Sequence, residues 1–165
     1  MGILNKLFGG EKSKQEIVLY APVSGKMTEL TSVSDETFAQ KILGDGIAIT
    51  PSDGKICSPC DAKIDNMFET GHAFSFITDN GVEILVHVGF DTVHLKGEHF
   101  RILKNTGDAV HHGEAMLEVD MAAVAAAGYD TTVVMVILNS DDFSDFKKTT
   151  GEIEAGSEVL TLTKK

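Results

Sequence analysis

The sequence predicts an all-β domain, a sandwich or barrel of short antiparallel strands with one or two short helices. Three observations predict it. The β-branched and apolar runs Val133–Leu138 and Val159–Leu162 are strand-sized. Glycines punctuate the chain at a spacing of roughly ten residues, as turns between short strands require. Helical periodicity is confined to two short stretches.

The elements follow in order. Ile3, Leu4, Leu7 and Phe8 form the stripe of a short helix stopped by Gly9-Gly10, flanked by Lys6, Lys12 and Lys14. Residues 1–16 are therefore read as a basic amphipathic tail able to lie on an anionic membrane surface. Residues 17–165 form the domain. A short helix is expected at about Asp35–Lys41, with Ser34 or Asp35 as N-cap. A second is expected at Met121–Ala127, stopped by Gly128. Two internal echoes suggest similar halves. Val110–Val119 is repeated at Ile153–Leu162, each copy turning on a glycine (Gly113, Gly156), and Ala21–Met27 is echoed by Ser58–Ile64. Two copies are too few for a solenoid and suit a pseudo-symmetric sandwich or barrel.

Composition excludes several function classes. The 165 residues carry 14 Lys+Arg against 25 Asp+Glu, a net charge of −11 that repels phosphate backbones, so no nucleic-acid partner is expected. No apolar run approaches the ~20 residues of a membrane span. With no cleavable leader visible, the expected setting is the cytoplasm. Cys57-Ser-Pro-Cys60 has the C-x-x-C spacing of a redox dithiol or half a zinc site. Its echo, however, puts Cys60 at the apolar strand position of Val23, which favours two buried thiols.

Of six histidines, His111 and His112 sit in a polar turn, and His94 and His99 flank a loop-like stretch. His72 and His87 differ. They lie on the two arms of a hairpin read from Asn80-Gly81, a signal for a two-residue type I′ turn. That turn sets His72 opposite Gly89 and Phe74 opposite His87, bringing the histidines together as same-face diagonal neighbours with Cβ atoms about 7 Å apart. A three-residue loop starting at Asp79 would break this parity unless a bulge restored it. Val82, Ile84, Val86 and Val88 form the core face, so His87 points away from the core. Two facing imidazoles suit a phosphohistidine relay, one as nucleophile and one as donor to the phosphoryl oxygens. With Asp91 they equally suit a Zn²⁺ site. Both readings stay open on this geometry.

At these residues the chain resembles the glucose-type enzyme IIA of the bacterial phosphoenolpyruvate-dependent sugar phosphotransferase system. The likeness runs through Ala21–Gly25, Ser34-Asp35 with Phe38-Ala39, Gly44–Ile49, Phe68–Phe74, Gly81–Val93 and Leu95–Gly97. It implies an antiparallel barrel-sandwich hybrid (a duplicated hybrid motif). His87 would accept a phosphoryl group from HPr and pass it to a cysteine of a IIB domain or IIBC permease for sugar uptake. By the same resemblance His72 orients the phosphoryl group and Thr70 hydrogen-bonds within the pair. Asp35 and Asp91 flank the site, and Phe38 with Val93 belong to a partner-docking rim. No cofactor and no metal is required, although His72 and His87 can bind zinc adventitiously or at a partner interface. Stand-alone members also regulate transporters or kinases, and their tail docks on the inner face of the membrane. Gly71 and Ala62 depart from the family pattern, as do the extra imidazoles of His94 and His99.

Two other readings compete: a metal hydrolase built on His72, His87 and Asp91, without the downstream H-x-H that such peptidases need, and a biotinyl- or lipoyl-carrier domain, which lacks a convincing lysine at a hairpin tip, Lys26 being the nearest.

Overall fold

In the computed structural model of the protein, residues 15–165 are described. The amphipathic tail, but for its last two residues, lies outside them. The described residues hold fourteen strands: β1 (Glu16–Tyr20), β2 (Gly25–Thr28), β3 (Asp45–Pro51), β4 (Lys55–Cys57), β5 (Ala62–Met67), β6 (Ala73–Ile77), β7 (Glu83–Val88), β8 (Phe100–Ile102), β9 (Ala109–Val110), β10 (Ala115–Val119), β11 (Val133–Ile137), β12 (Phe143–Lys148), β13 (Gly151–Ile153) and β14 (Glu158–Lys164). Every pairing between them is antiparallel. One eight-stranded sheet runs β9-β5-β6-β7-β11-β3-β2-β13, and two three-stranded sheets run β4-β10-β8 and β12-β14-β1. The expected all-β antiparallel sandwich is the fold found.

Both helices form where expected and are short because their signals are local. In α1 (Glu36–Ala39) the Asp35 carboxylate caps by accepting from the Thr37 N–H at 2.9 Å. In α2 (Met121–Ala126) Asp120 caps Ala123 at 3.1 Å, and Gly128 follows at φ +98°.

The two echoes become a pseudo-dyad. Tyr20 N–H donates to Pro59 O and Cys57 N–H donates to Pro22 O. Gly156 N–H donates to Ala21 O and Gly113 N–H to Ser58 O. Each pair is one bond written twice in the two copies. At the axis Gly113 and Gly156, both at positive φ, lie back to back: a Cβ on Gly156 would stand 3.5 Å from the Gly113 Cα. Lys26 lies within β2, paired with both Thr50 and Glu152, and not at a hairpin tip, which removes the carrier-domain reading.

The main core lies between the sheets. Val82, Ile84, Val86 and Val88 all face it, as alternation predicts. Cys57 and Cys60 are buried free thiols, and burial pushes the Cys60 thiol up to about 12. A second, smaller cluster covers the other face of the large sheet near one end of β7. It consists of Leu30, Phe38, Ala48, Phe90, Val134 and Val136. Segment 29–39 supplies Leu30 and Phe38 and roofs that end of the sheet.

Candidate functional site

The hairpin β6–β7 differs from its expected form in one respect. Its loop has three residues, closed by Thr78 N–H to Val82 O at 2.9 Å and Gly81 N–H to Thr78 O at 3.0 Å, with Gly81 at φ +87°. This is a type I turn followed by a left-handed glycine, the other common use of an Asn-Gly pair. The Thr78 hydroxyl favours it by bonding both Asn80 Oδ1 and the Val82 N–H. The register therefore slips by one, with Ala73 opposite His87 and Phe74 opposite Val86. His72 does not sit diagonally across a regular ladder. It lies in a bend just before β6, after Gly71 at φ +73°, and its carbonyl accepts from the Val88 N–H at 2.7 Å. Freed from strand alternation by that bend, its ring still meets His87, with centroids 5.1 Å apart and planes at 78°. Gly71 is matched to this path: a Cβ there would lie 3.2 Å from both Phe100 Cβ and Ile102 Cγ1.

His87 sits on the face opposite the main core, in a row of small side chains. Ala73, Val134 and, through Val134, Ala48 stand beside it across the sheet. Phe38 closes over the ring at 5.2 Å between centroids and stacks on Phe90 at 5.5 Å. His87 is thus half-buried against the smaller cluster, away from the main core and only partly open to water. Phe38 is only 6% exposed, so it forms a wall of the site, whereas Val93 is 44% exposed. Ile42 and Leu43, which follow α1, are also exposed apolar side chains; the sequence reading missed them, although Lys41-Ile42-Leu43-Gly44 is apolar in a loop. Phe68 lies edge-on to His72 at 5.4 Å.

The hydrogen bonds assign His87. Its Nδ1 lies 2.7 Å from the Gly89 carbonyl, which can only accept, so Nδ1 carries the proton and Nε2 keeps its lone pair. Burial lowers the His87 pKa, opposed by the Gly89 bond and by the charges of Asp35 and Asp91. His72 is lowered to about 4, first by burial and then by repulsion from His87. Both rings are neutral at pH 7. Thr70 Oγ1 bonds His72 Nδ1, and Asp91 stands at φ +61° before a 3-10 turn, Thr92–Leu95, that carries Val93.

Two further contacts frame the site. The Asp130 carboxylate accepts from the Ser34 hydroxyl at 2.8 Å and from both Thr132 N–H and Oγ–H, joining the α1 segment to the 130–132 turn. That turn holds the loop after His87, because Gly89 N–H donates to Thr132 O and Phe90 N–H to Asp130 O. Ser34 and Asp130 are far apart in the chain, and no sequence signal links them. Among the described residues no group of three or more His, Cys, Asp or Glu side chains is arranged to hold a metal ion, so Asp91 does not complete the H-x-x-x-D site of the hydrolase reading. His112 instead pairs with Asp61 at 2.9 Å and stacks on Tyr20, beside the pseudo-dyad.

Comparison with known proteins gives a consistent result. Residues 17–143 match the family described as phosphoenolpyruvate-dependent sugar phosphotransferase system, EIIA 1. The chain is 40% identical over 166 residues to the PTS system glucose-specific EIIA component of Haemophilus influenzae, covering all of both chains. It is 39% identical to the PTS system beta-glucoside-specific EIIBCA component of Dickeya chrysanthemi, over 87% of this chain and 23% of that longer one. Among solved structures, glucose permease IIA from Mycoplasma capricolum superposes with a TM-score of 0.85 at 32% identity. The superposition covers 89% of this chain and 96% of that one.

Proposed function

The chain belongs to the EIIA type 1 family of the phosphoenolpyruvate-dependent sugar phosphotransferase system, and on that premise we propose that it is a phosphohistidine carrier, accepting a phosphoryl group from HPr on Nε2 of His87 and passing it to a cysteine of a IIB domain. The observation that carries this reading is the state of His87: neutral, with its Nδ1–H committed to Gly89 O and its Nε2 lone pair available beside a second imidazole.

On charging, Nε2 attacks the phosphorus of the donor's phosphohistidine. The donor's P–N bond breaks, its electron pair stays on the donor imidazole, and that ring takes up a proton. The His87–Gly89 bond strengthens as His87 gains cationic character. With Thr70 donating to Nδ1 of His72, the Nε2–H of His72, whose ring lies edge-on to His87, is left to donate to a phosphoryl oxygen. On discharge a IIB thiolate attacks phosphorus, the P–Nε2 bond breaks, and His87 returns to the neutral imidazole. Phe38, Phe90 and the small side chains of the sheet keep water from the labile bond. Asp35 and Asp91 offer negative charge, and exposed Val93 an apolar contact, to a docking partner of complementary character.

The link to a IIB partner draws support from the Dickeya chrysanthemi relative, whose name joins EIIB, EIIC and EIIA in one chain. A glucose or related sugar is the substrate class of the whole pathway; this chain carries only the phosphoryl group. No helix among the described residues is long and apolar enough to cross a membrane. A cytoplasmic placement, peripheral contact of the tail with anionic lipid, and regulatory binding of transporters or kinases belong to the same proposal.

The test is intact-mass measurement after incubation with phosphoenolpyruvate, enzyme I and HPr. An acid-labile gain of one phosphoryl group, absent in His87→Ala, is expected. No gain with donors competent on another EIIA overturns the reading.

A further inference from the structure

Thr92 is one of four buried polar or charged residues among those described, at 1% exposure, and it lies on the loop that leaves His87. Its hydroxyl donates to the Val88 carbonyl at 2.6 Å, closing the turn Val88–Thr92 from within. The N–H of the same residue, Val88, holds the carbonyl of His72 at 2.7 Å. Between these two residues lies Gly89, whose carbonyl accepts the His87 Nδ1–H. The fit is steric as well as polar. A Cβ on Gly89, at φ +73°, would stand 2.5 Å from the Thr92 γ-methyl, so the methyl fills the space that glycine leaves.

We propose that Thr92 is a positioning residue for phosphoryl transfer: by bonding Val88 O, its hydroxyl aims the Gly89 carbonyl at Nδ1 of His87 and so keeps Nε2 the unprotonated nitrogen. This rests on the carrier reading for its kinetic consequence, but not for its structural one. A neutral imidazole with no fixed acceptor at Nδ1 divides between two tautomers, and one of them has no lone pair at Nε2. The neighbouring turn holds Gly89 and Phe90 only through their N–H groups, to Thr132 O and Asp130 O. The 88–92 end of the loop depends on Thr92.

The substitution Thr92→Val replaces hydroxyl by methyl at nearly constant volume, and Thr92→Ser keeps the hydroxyl while removing the methyl. Nitrogen-15 NMR of the His87 ring reads the tautomer directly, and transfer from phosphorylated HPr reads its effect. In the wild type a single Nδ1–H tautomer is expected. In T92V the Nε2–H form appears, and kcat for transfer falls roughly 10- to 100-fold with KM for HPr unchanged, as displacement of a reacting group does. T92S retains the wild-type tautomer and most of the rate. A wild-type tautomer in T92V, or T92S behaving like T92V, overturns the proposal; should T92V fail to fold, Thr92→Ala replaces it with the same expectations. Absence of any transfer to the wild type counts against the carrier reading alone, since the NMR comparison still decides the role of Thr92.

Discussion

The Nδ1 of His87 and the carbonyl oxygen of Gly89, two residues apart in the chain, are joined at 2.7 Å, and this one bond decides which ring nitrogen can react. It exists because Gly89 occupies a left-handed conformation that turns its carbonyl back on the preceding side chain.

Gly89→Ala therefore disrupts more than a turn. Its Cβ would lie 2.5 Å from the Thr92 methyl and 2.9 Å from the Asp130 carbonyl, in a backbone conformation that costs L-residues on the order of 1–3 kcal/mol. Denaturant unfolding should show a loss of at least that size, and the folded fraction should accept a phosphoryl group slowly.

Stability should fall with acid in a defined window. The ordinary histidine pKa is 6.5 and that of folded His72 is about 4, so between these values the unfolded chain binds a proton that the folded one does not. The stabilisation is complete above pH 6.5 and is lost as pH falls to about 4, by about 3 kcal/mol for His72 if the difference is fully expressed. His87, shifted in the same direction, adds to the slope. Urea melts at pH 7, 5.5 and 4.5 should show it, and His72→Gln should flatten it; an unchanged slope in that variant would assign the effect elsewhere.

Phe38→Ala removes the wall over His87 and a member of the small cluster. Truncation of a buried phenylalanine costs about 3–5 kcal/mol where the site cannot collapse, and an end cluster such as this should fall toward the lower figure. Because burial is the main cause of the low His87 basicity, water admitted by the truncation should raise its pKa toward 6.5. Proton NMR titration of the ring reads that shift.

The thiols should be silent in the folded protein. With Cys57 and Cys60 both buried and Cys60 pushed up to about 12, neither forms appreciable thiolate at pH 8. Ellman's reagent should find no fast-reacting thiol until denaturant is added and two thereafter. Fast native labelling would revive a redox reading of Cys57-Ser-Pro-Cys60.

The two helices were legible in the sequence because their caps, Asp35 and Asp120, act within three residues of themselves. The halves were legible too, since an echo such as Val110–Val119 against Ile153–Leu162 survives as matching turns. The meeting of His72 and His87 was anticipated by a register that the structure replaces. Asn80-Gly81 serves two loop lengths, and the side chain of Thr78, outside the dipeptide, selects the longer. Alternation then fails at His72 because a bend after Gly71 precedes the strand. The roof of the site was only half visible. Phe38 entered only through the family resemblance, whereas the Ser34–Asp130 bridge joins residues far apart in the chain, and single-sequence patterns carry no information about such pairs.

The pseudo-dyad also sets the order in which this molecule can be completed. Among the described residues strand β1 pairs only with β14, Ile17 opposite Leu162, so the first described strand finds its partner in the fourteenth. One small sheet is assembled from strands far apart in the sequence and the other from strands lying between them. A nascent chain thus lacks one flank of its own symmetry until β14 has been made, and loop closure of that length makes the final docking slow relative to hairpin formation. Until then, the unpaired edge of β1 is a surface that must be kept from other strands.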